Sequence, residues 1–326
     1  MLGAGAWGTA LAIALSSRHE ITLWCRDPKQ GGQLAAERVN TRYLPGVAIP
    51  GAVRITADAG DALQSCDLVI LAVPTASLRE TAQRIALQLR AVDVIWLCKG
   101  YESESAKFPH EVVGEELGEQ FRCGALSGPS FADEVARGLP AAVTFASRDA
   151  EFAATAAREL HTRRLRVYSS DDLAGVETGG AVKNVIAIAA GVCDGLNLGS
   201  SARAALITRG LAEMTRLGMR LGGRLETFMG LAGVGDLVLT ATSDLSRNRR
   251  VGLGLAGGRR LVDILASLGH VAEGVFSARE VVRLAQKLGV DMPITRAVCR
   301  VLDGDASARD AVEELLQREP KAESVR

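Results

Sequence analysis

The chain has 326 residues, enough for two domains with a core each. Hydrophobic residues make up 48% but aromatics only 4%, so the interior has to be built from Leu, Val, Ala and Ile. The 38 basic and 38 acidic residues cancel, which argues against a bulk nucleic-acid binder or a polybasic membrane protein and leaves phosphate recognition to local groups.

The first residues, Met1-Leu2-Gly3-Ala4-Gly5-Ala6-Trp7-Gly8, contain G-x-G-x-x-G, and an apolar helical run follows at once. In a dinucleotide-binding turn the first glycine permits the tight bend. The second leaves room for the pyrophosphate, and the third lets the helix pack close to the sheet. The pyrophosphate then rests on free N–H groups at the helix start. A strand of about five residues normally precedes such a turn. Here only Met1 and Leu2 do, so the expectation is a natural start upstream or a first strand that was trimmed. No Lys or Arg precedes the apolar residues 1–17, as a secretory signal would need. No stretch reaches the roughly 18 uninterrupted apolar residues of a membrane span. A cytoplasmic location follows as the expectation.

A strand over 20–25 ends at Arg26 and Asp27. Asp27 lies about twenty residues past the last glycine, where an acid would hold the adenosine ribose diol. Arg26 could instead pair with a 2′-phosphate. A solvated turn would account for both, and the reading leans to NADPH with NADH left open.

The apolar stretches at 67–74, 92–98 and 123–126 read as buried strands, with a helix over 77–89 between the first two, and 141–146 and 165–168 look like late strands. This alternation predicts a doubly wound α/β sheet with ligands at the C-terminal strand ends. Lys99 and the segment Gly128-Pro129-Ser130 lie at such ends. Near 171–175 the pattern turns helical, with apolar helices over 179–192 and 202–217 and more from about Val251 onward. The predicted division is a dinucleotide-binding domain over 1–175 and a helical substrate domain over 176–326. The tail 318–326 is polar and is expected to fray. Cysteines 25, 66, 98, 123, 193 and 299 form no C-x-x-C pair and read as reduced thiols, with neither a metal site nor a disulfide framework.

Lys183 is a charge inside a long apolar helix, with Gly179, Ala187 and Ala190 on its face. Burial lowers a lysine pKa, and an amine tuned toward neutrality can exchange protons with an alcohol or ketone oxygen. A lysine snorkelling from a helix edge is the alternative. The glycine-dense stretch 230–235 presents Asp236, which could pair with Lys183 or simply cap a helix. Ser246-Arg247-Asn248-Arg249-Arg250 joins an Arg fork to an Asn amide, a set suited to a phosphate monoester or, more blandly, to a solvated basic loop. The four histidines (19, 110, 161, 270) stand outside glycine-rich and strand-end settings, so the proton relay falls to a lysine.

In this order, G-A-G-A-W-G-T-A-L at the start, C-K-G at 98–100, S-G-P-S-F-A at 127–132, K-N-V-I-A-I-A-A-G at 183–191, G-D-L at 235–237, S-R-N-R at 246–249 and A-E-G-V at 272–275 form a specific set. On these motifs the chain resembles the bacterial-type NAD(P)-dependent glycerol-3-phosphate dehydrogenases. The resemblance implies a Rossmann-like N-terminal domain and an all-α C-terminal domain of the 6-phosphogluconate dehydrogenase type, with the active site between them. It implies reversible reduction of dihydroxyacetone phosphate to sn-glycerol 3-phosphate for phospholipid synthesis, with NADP or NAD as cofactor. Lys183 would be the proton donor and acceptor, with Asp236 beside it. Lys99, Gly128, Ser130, Thr240, Ser246, Arg247 and Asn248 would complete the substrate pocket. Gly3, Gly5, Ala6, Trp7, Gly8, Arg26, Ala132, Val271 and Glu273 would meet the cofactor, as would Lys99 and Arg247. Many relatives carry Ser where this chain has Ala6, so one hydroxyl contact is lost. The small phosphorylated substrate is the expected partner, with no nucleic acid and no membrane span, and a homodimer is allowed. A β-hydroxyacid dehydrogenase acting on a carboxylate, and a redox sensor that binds NADPH without turnover, are the rival readings.

Overall fold

The computed structural model describes residues 1–64, 66–86, 88, 92–118, 120–269 and 271–319. Positions 87 and 89 of the helix expected over 77–89, His270, and residues 320–326 of the tail expected to fray lie outside them. The chain divides into two compact units. One holds Met1–Cys98 and Pro109–Leu173; the other holds Lys99–Phe108 and the chain from Ala174 onward. The division is therefore not a single cut near 175. Residues 99–108 join the helical unit because Tyr101 and Phe108 are buried in its core, ring edge to ring face with centroids 5.1 Å apart. The Tyr101 hydroxyl also donates to Thr178 Oγ1 at 3.2 Å.

In chain order the first unit comprises α1 (Ala6–Leu15), β1 (Thr22–Trp24), α2 (Pro28–Glu37), β2 (Val39–Asn40), β3 (Leu44–Ala48), β4 (Arg54–Thr56), α3 (Ala59–Leu63), β5 (Leu68–Leu71), α4 (Leu78–Ala86), β6 (Asp93–Trp96), α5 (Pro109–Leu117), β7 (Cys123–Ser127), α6 (Ala132–Ala136), β8 (Ala141–Ala146), α7 (Ala150–Leu160) and β9 (Leu165–Ser170). The main sheet runs β4-β1-β5-β6-β7-β8-β9, with Leu2 inserted in parallel between Trp24 of β1 and Leu71 of β5. Short as it is, the lead-in occupies the first-strand position. Leu2 N donates to Ile70 O at 2.8 Å, and Leu2 O accepts from Ala72 N at 2.7 Å. Neighbouring strands are parallel except β7 and β8, whose antiparallel register pairs Leu126 with Phe145 and departs from a uniformly parallel sheet. Leu11, Ile70, Ile95, Leu126 and Phe145 form one core cluster, and Ala12, Leu23, Leu34 and Val53 form another. Strands β2, β3 and β4 lack the continuous apolar run of the others and were not anticipated.

The second unit comprises α8 (Leu173–Gly195), α9 (Gly199–Arg220), α10 (Leu225–Phe228), a π turn over Leu231–Gly235, α11 (Asp236–Thr242), α12 (Arg247–Ala256), α13 (Leu261–Leu268), α14 (Glu273–Lys287), α15 (Pro293–Asp303) and α16 (Ala308–Leu316). By length and hydropathy α8 could cross a membrane, but 94% of its apolar window is buried inside the protein. The stretch Leu225–Thr242 passes the same test and is 39% buried. Close approach to α8 depends on small residues. A Cβ at Gly179 would lie 2.4 Å from Ala232 O, so glycine alone lets the π turn rest against α8 one turn before Lys183.

Candidate active site

The glycine turn of the first unit divides its three glycines by function. Gly3 has φ +119°, and a Cβ there would sit 2.4 Å from Ala72 O. A Cβ at Gly8 would sit 2.0 Å from Gly3 O. Both glycines are required by the protein's own packing. At Gly5 a Cβ would meet nothing within 4 Å. That open cradle lies at the N-terminus of α1, where Gly5 is the N-cap and no side chain caps the helix. The first-turn N–H groups, including those of Ala6 and Trp7, have no intrahelical acceptor and are available to an anion. The cradle therefore fits the pyrophosphate of a nicotinamide dinucleotide.

Beyond β1, a cavity of about 190 Å³ is lined by Asp27, Lys29, Gln30, Asn40, Thr41 and Arg42, among others. Asp27 caps α2, accepting from Lys29 N at 2.9 Å, so part of its carboxylate is committed to the helix. Arg26 is exposed at the end of the strand. Gly128 follows β7 with φ +134°, Ser130 Oγ donates back to Gly128 O at 3.2 Å, and Ala132 opens α6.

The second unit gathers Lys99, Lys183, Asp236 and Thr240. Lys183 projects from α8 and donates to Asp236 Oδ1, while Lys99 donates to Asp236 Oδ2 at 2.7 Å. One carboxylate thus holds two ammonium groups, one on each oxygen. Thr240 gives its hydroxyl proton to Asp236 O at 2.6 Å, one turn back along α11. It therefore turns a lone pair to Lys183 Nζ, at 3.1 Å. Lys183 is 6% exposed and Asp236 1%. Lys183 is therefore not a snorkelling lysine, and Asp236 is the ion-pair partner rather than only a cap.

Burial dominates the charge state of Lys183. It brings the ammonium from 10.5 down to about 7; Asp236 opposes the shift and the Lys99 charge adds to it. Burial alone would raise the Asp236 carboxyl, but the two lysines and their hydrogen bonds outweigh it and hold the carboxyl below its ordinary value. The result is a proton poised on a buried amine beside a carboxylate that stays ionised.

The basic run at 246–250 is not a uniform patch. Ser246 caps α12, accepting from Arg249 N at 3.2 Å. Arg249 is buried and turned inward, with Asp194 at 2.7 Å and Asp244 at 2.6 Å. Asn248 donates to Asn184 Oδ1 at 2.8 Å and accepts from Gly274 N at 3.0 Å. Asn184 in turn donates to Gly180 O at 3.1 Å, so an amide chain links α8, α12 and α14. Arg247, in the first turn of α12, remains exposed, with Glu273 of α14 in electrostatic reach. Val271 is exposed just ahead of α14. Sequence reasoning missed Asn40, which braces the glycine turn, and the bridging role of Asn184. Asn184 sat within a motif beside Lys183, whereas Asn40 carried no local signal.

A Rossmann-like unit followed by a helical unit with a buried, charge-tuned lysine is the architecture of a two-domain nicotinamide-dependent oxidoreductase. The family model described as NAD-dependent glycerol-3-phosphate dehydrogenase N-terminus matches residues 1–153, and its C-terminal counterpart matches residues 172–313. The chain belongs to the NAD-dependent glycerol-3-phosphate dehydrogenase family. It is 58% identical to glycerol-3-phosphate dehydrogenase [NAD(P)+] of Nitrosospira multiformis, over 99% of this chain and 98% of that one. It is 57% identical to the enzyme of the same name from Dechloromonas aromatica, again over 99% and 98%. Among solved structures, glycerol-3-phosphate dehydrogenase from Coxiella burnetii superposes with a TM-score of 0.93 at 43% identity, over 97% of this chain and 98% of that one.

Proposed function

We propose that this chain catalyses the reversible NAD(P)H-dependent reduction of dihydroxyacetone phosphate to sn-glycerol 3-phosphate. The observation that carries the reading is the buried Lys183–Asp236–Lys99 cluster, joined to a family membership that spans the chain. When bound, the nicotinamide supplies a hydride for the substrate's carbonyl carbon. Gly3, Gly5 and Gly8 shape the turn that receives the dinucleotide, and the start of α1 offers its N–H groups to the pyrophosphate. Lys183 holds the proton that the carbonyl oxygen takes up and recovers it in the reverse direction. Asp236 and Thr240 fix the direction of that amine, and Lys99 keeps its proton labile by repulsion. Arg247 and the N-terminus of α12 bind the phosphate, so that remote binding energy orients the reacting carbon.

A homodimer in the cytoplasm, passing its product to glycerophospholipid synthesis, completes the reading. None of the six cysteines forms a disulfide, in line with a reducing compartment. The deciding assay follows NADPH and NADH oxidation with dihydroxyacetone phosphate and with a panel of β-keto and β-hydroxy carboxylates. Turnover confined to the phosphate substrate supports the proposal. Turnover on carboxylates alone, or binding of NADPH without turnover, transfers the chain to one of the two rival readings.

Replacing Arg247 with alanine should raise KM for dihydroxyacetone phosphate roughly 10- to 100-fold, the scale of one charge-assisted fork to phosphate, with a smaller change in kcat. Unphosphorylated dihydroxyacetone should be turned over equally by both proteins. An unchanged KM for the phosphate ester would place the phosphate site elsewhere.

A further inference from the structure

The Asn40 side chain is 1% exposed, and its amide is fully engaged. Nδ2 donates to Ala4 O at 2.9 Å and to Thr9 Oγ1 at 2.8 Å, while Oδ1 accepts from Tyr43 N at 3.2 Å. A carbonyl oxygen can only accept, so the contact with Ala4 fixes which way the amide points. Ala4 lies between the first two glycines of the turn, and Thr9 follows the third. One amide therefore ties the entry of the glycine turn to its exit. The tie comes from β2, outside the strand–turn–helix motif itself.

We propose that Asn40 is a positioning residue for the dinucleotide. It holds the Gly3–Gly8 turn in the open shape that leaves Gly5 and the α1 N–H groups free, and so sets cofactor affinity rather than the rate of the chemical step. The proposal rests on the functional reading above. Without the brace the Ala4 carbonyl keeps only the long contact from Gln30 Nε2 at 3.5 Å, and the turn can relax toward its own N–H groups, closing the cradle. Part of the binding energy would then be needed to reopen it.

Two nearly isosteric variants of the full chain test this. Asn40→Asp replaces both donors with acceptors and sets a carboxylate against Ala4 O. Thr9→Val removes one acceptor and adds no charge, so it controls for the electrostatic effect of a new carboxylate near a pyrophosphate. The readouts are Kd for NADPH from the nucleotide's own fluorescence, without substrate, together with steady-state kinetics and the thermal midpoint. Kd should rise roughly tenfold or more in Asn40→Asp and about threefold in Thr9→Val, in line with the loss of one or two buried hydrogen bonds. At saturating NADPH, kcat and KM for dihydroxyacetone phosphate should stay near the parent values. If Asn40→Asp fails to fold, Thr9→Val decides alone. A folded variant that binds NADPH as tightly as the parent overturns the proposal, as does one whose loss falls on kcat. A parent protein that binds no dinucleotide would overturn the functional reading instead.

Discussion

Lys183→Ala should lower kcat by roughly 10²- to 10⁴-fold, the range of a general acid–base contribution, while KM for dihydroxyacetone phosphate changes far less. The variant should still fold, because Asp236 keeps Lys99 on its other oxygen at 2.7 Å and is not left as an orphaned buried charge. Lys183→Met, which keeps the length of the side chain without the amine, should behave alike. With the ammonium brought down to about 7, the proton needed for reduction is lost as pH rises through neutrality. The reductive kcat should therefore fall above about pH 7 and the oxidative kcat should rise, both through the same inflection. The variants should lose that inflection.

Stability carries a matching sign. Between about 7 and 10.5 the unfolded chain holds a proton on Lys183 that the folded chain does not. Unfolding free energy should therefore increase with pH across that window in the parent, and less so in Lys183→Met. Near-parental kcat in both variants would remove Lys183 from the chemistry.

The features legible in the sequence were those whose physical cause is local. Gly3 and Gly8 could be assigned because the G-x-G-x-x-G spacing by itself marks a tight bend and a close helix approach; the fold adds what a Cβ at each would strike, Ala72 O and Gly3 O. The runs Leu68–Leu71, Asp93–Trp96 and Ala141–Ala146 declared themselves through continuous apolar residues. Lys183 stands out as a charge in an apolar helix, and its partner Asp236 directly follows a glycine-dense stretch. Features that depend on chain tracing were not legible. Nothing near residue 99 announces that the segment to 108 joins the helical unit, since two aromatics seven residues apart reveal no stacking partner. Arg249 and Arg247 look alike in the run 246–250. Only the fold turns one inward onto Asp194 and Asp244 and leaves the other exposed. The reversed direction of β8 has the same origin, because thirteen residues link it to β7 and that length permits either direction.

Glu213 lies outside the proposed chemistry, yet its loss should be the most damaging to stability. Helix α15 begins with Pro293, which has no N–H, and its N-cap residue Met292 supplies no side-chain acceptor. The next two donors are served from α9. Glu213 Oε1 accepts from Ile294 N at 2.6 Å, and Oε2 accepts from Thr295 N at 3.1 Å and from Thr295 Oγ1 at 2.8 Å. Glu213→Ala leaves three buried donors without an acceptor at a helix start, a loss of about 3–5 kcal/mol when each costs roughly 1–3 kcal/mol and an entering water recovers part.

Burial pushes the Glu213 carboxyl from 4.5 up to about 7, against the pull of those donors. The folded value is raised, so the group's contribution is full below about pH 4.5 and is lost as pH rises through about 7. Denaturant titrations of Glu213→Ala and the parent at pH 5 and pH 8 should therefore show the larger difference at pH 5. Glu213→Gln, which keeps one acceptor and cannot ionise, should lie between them, with little pH dependence from this position. A penalty equal or greater at pH 8 would mean that the three donors prevail over burial and that the carboxyl is already ionised at pH 5.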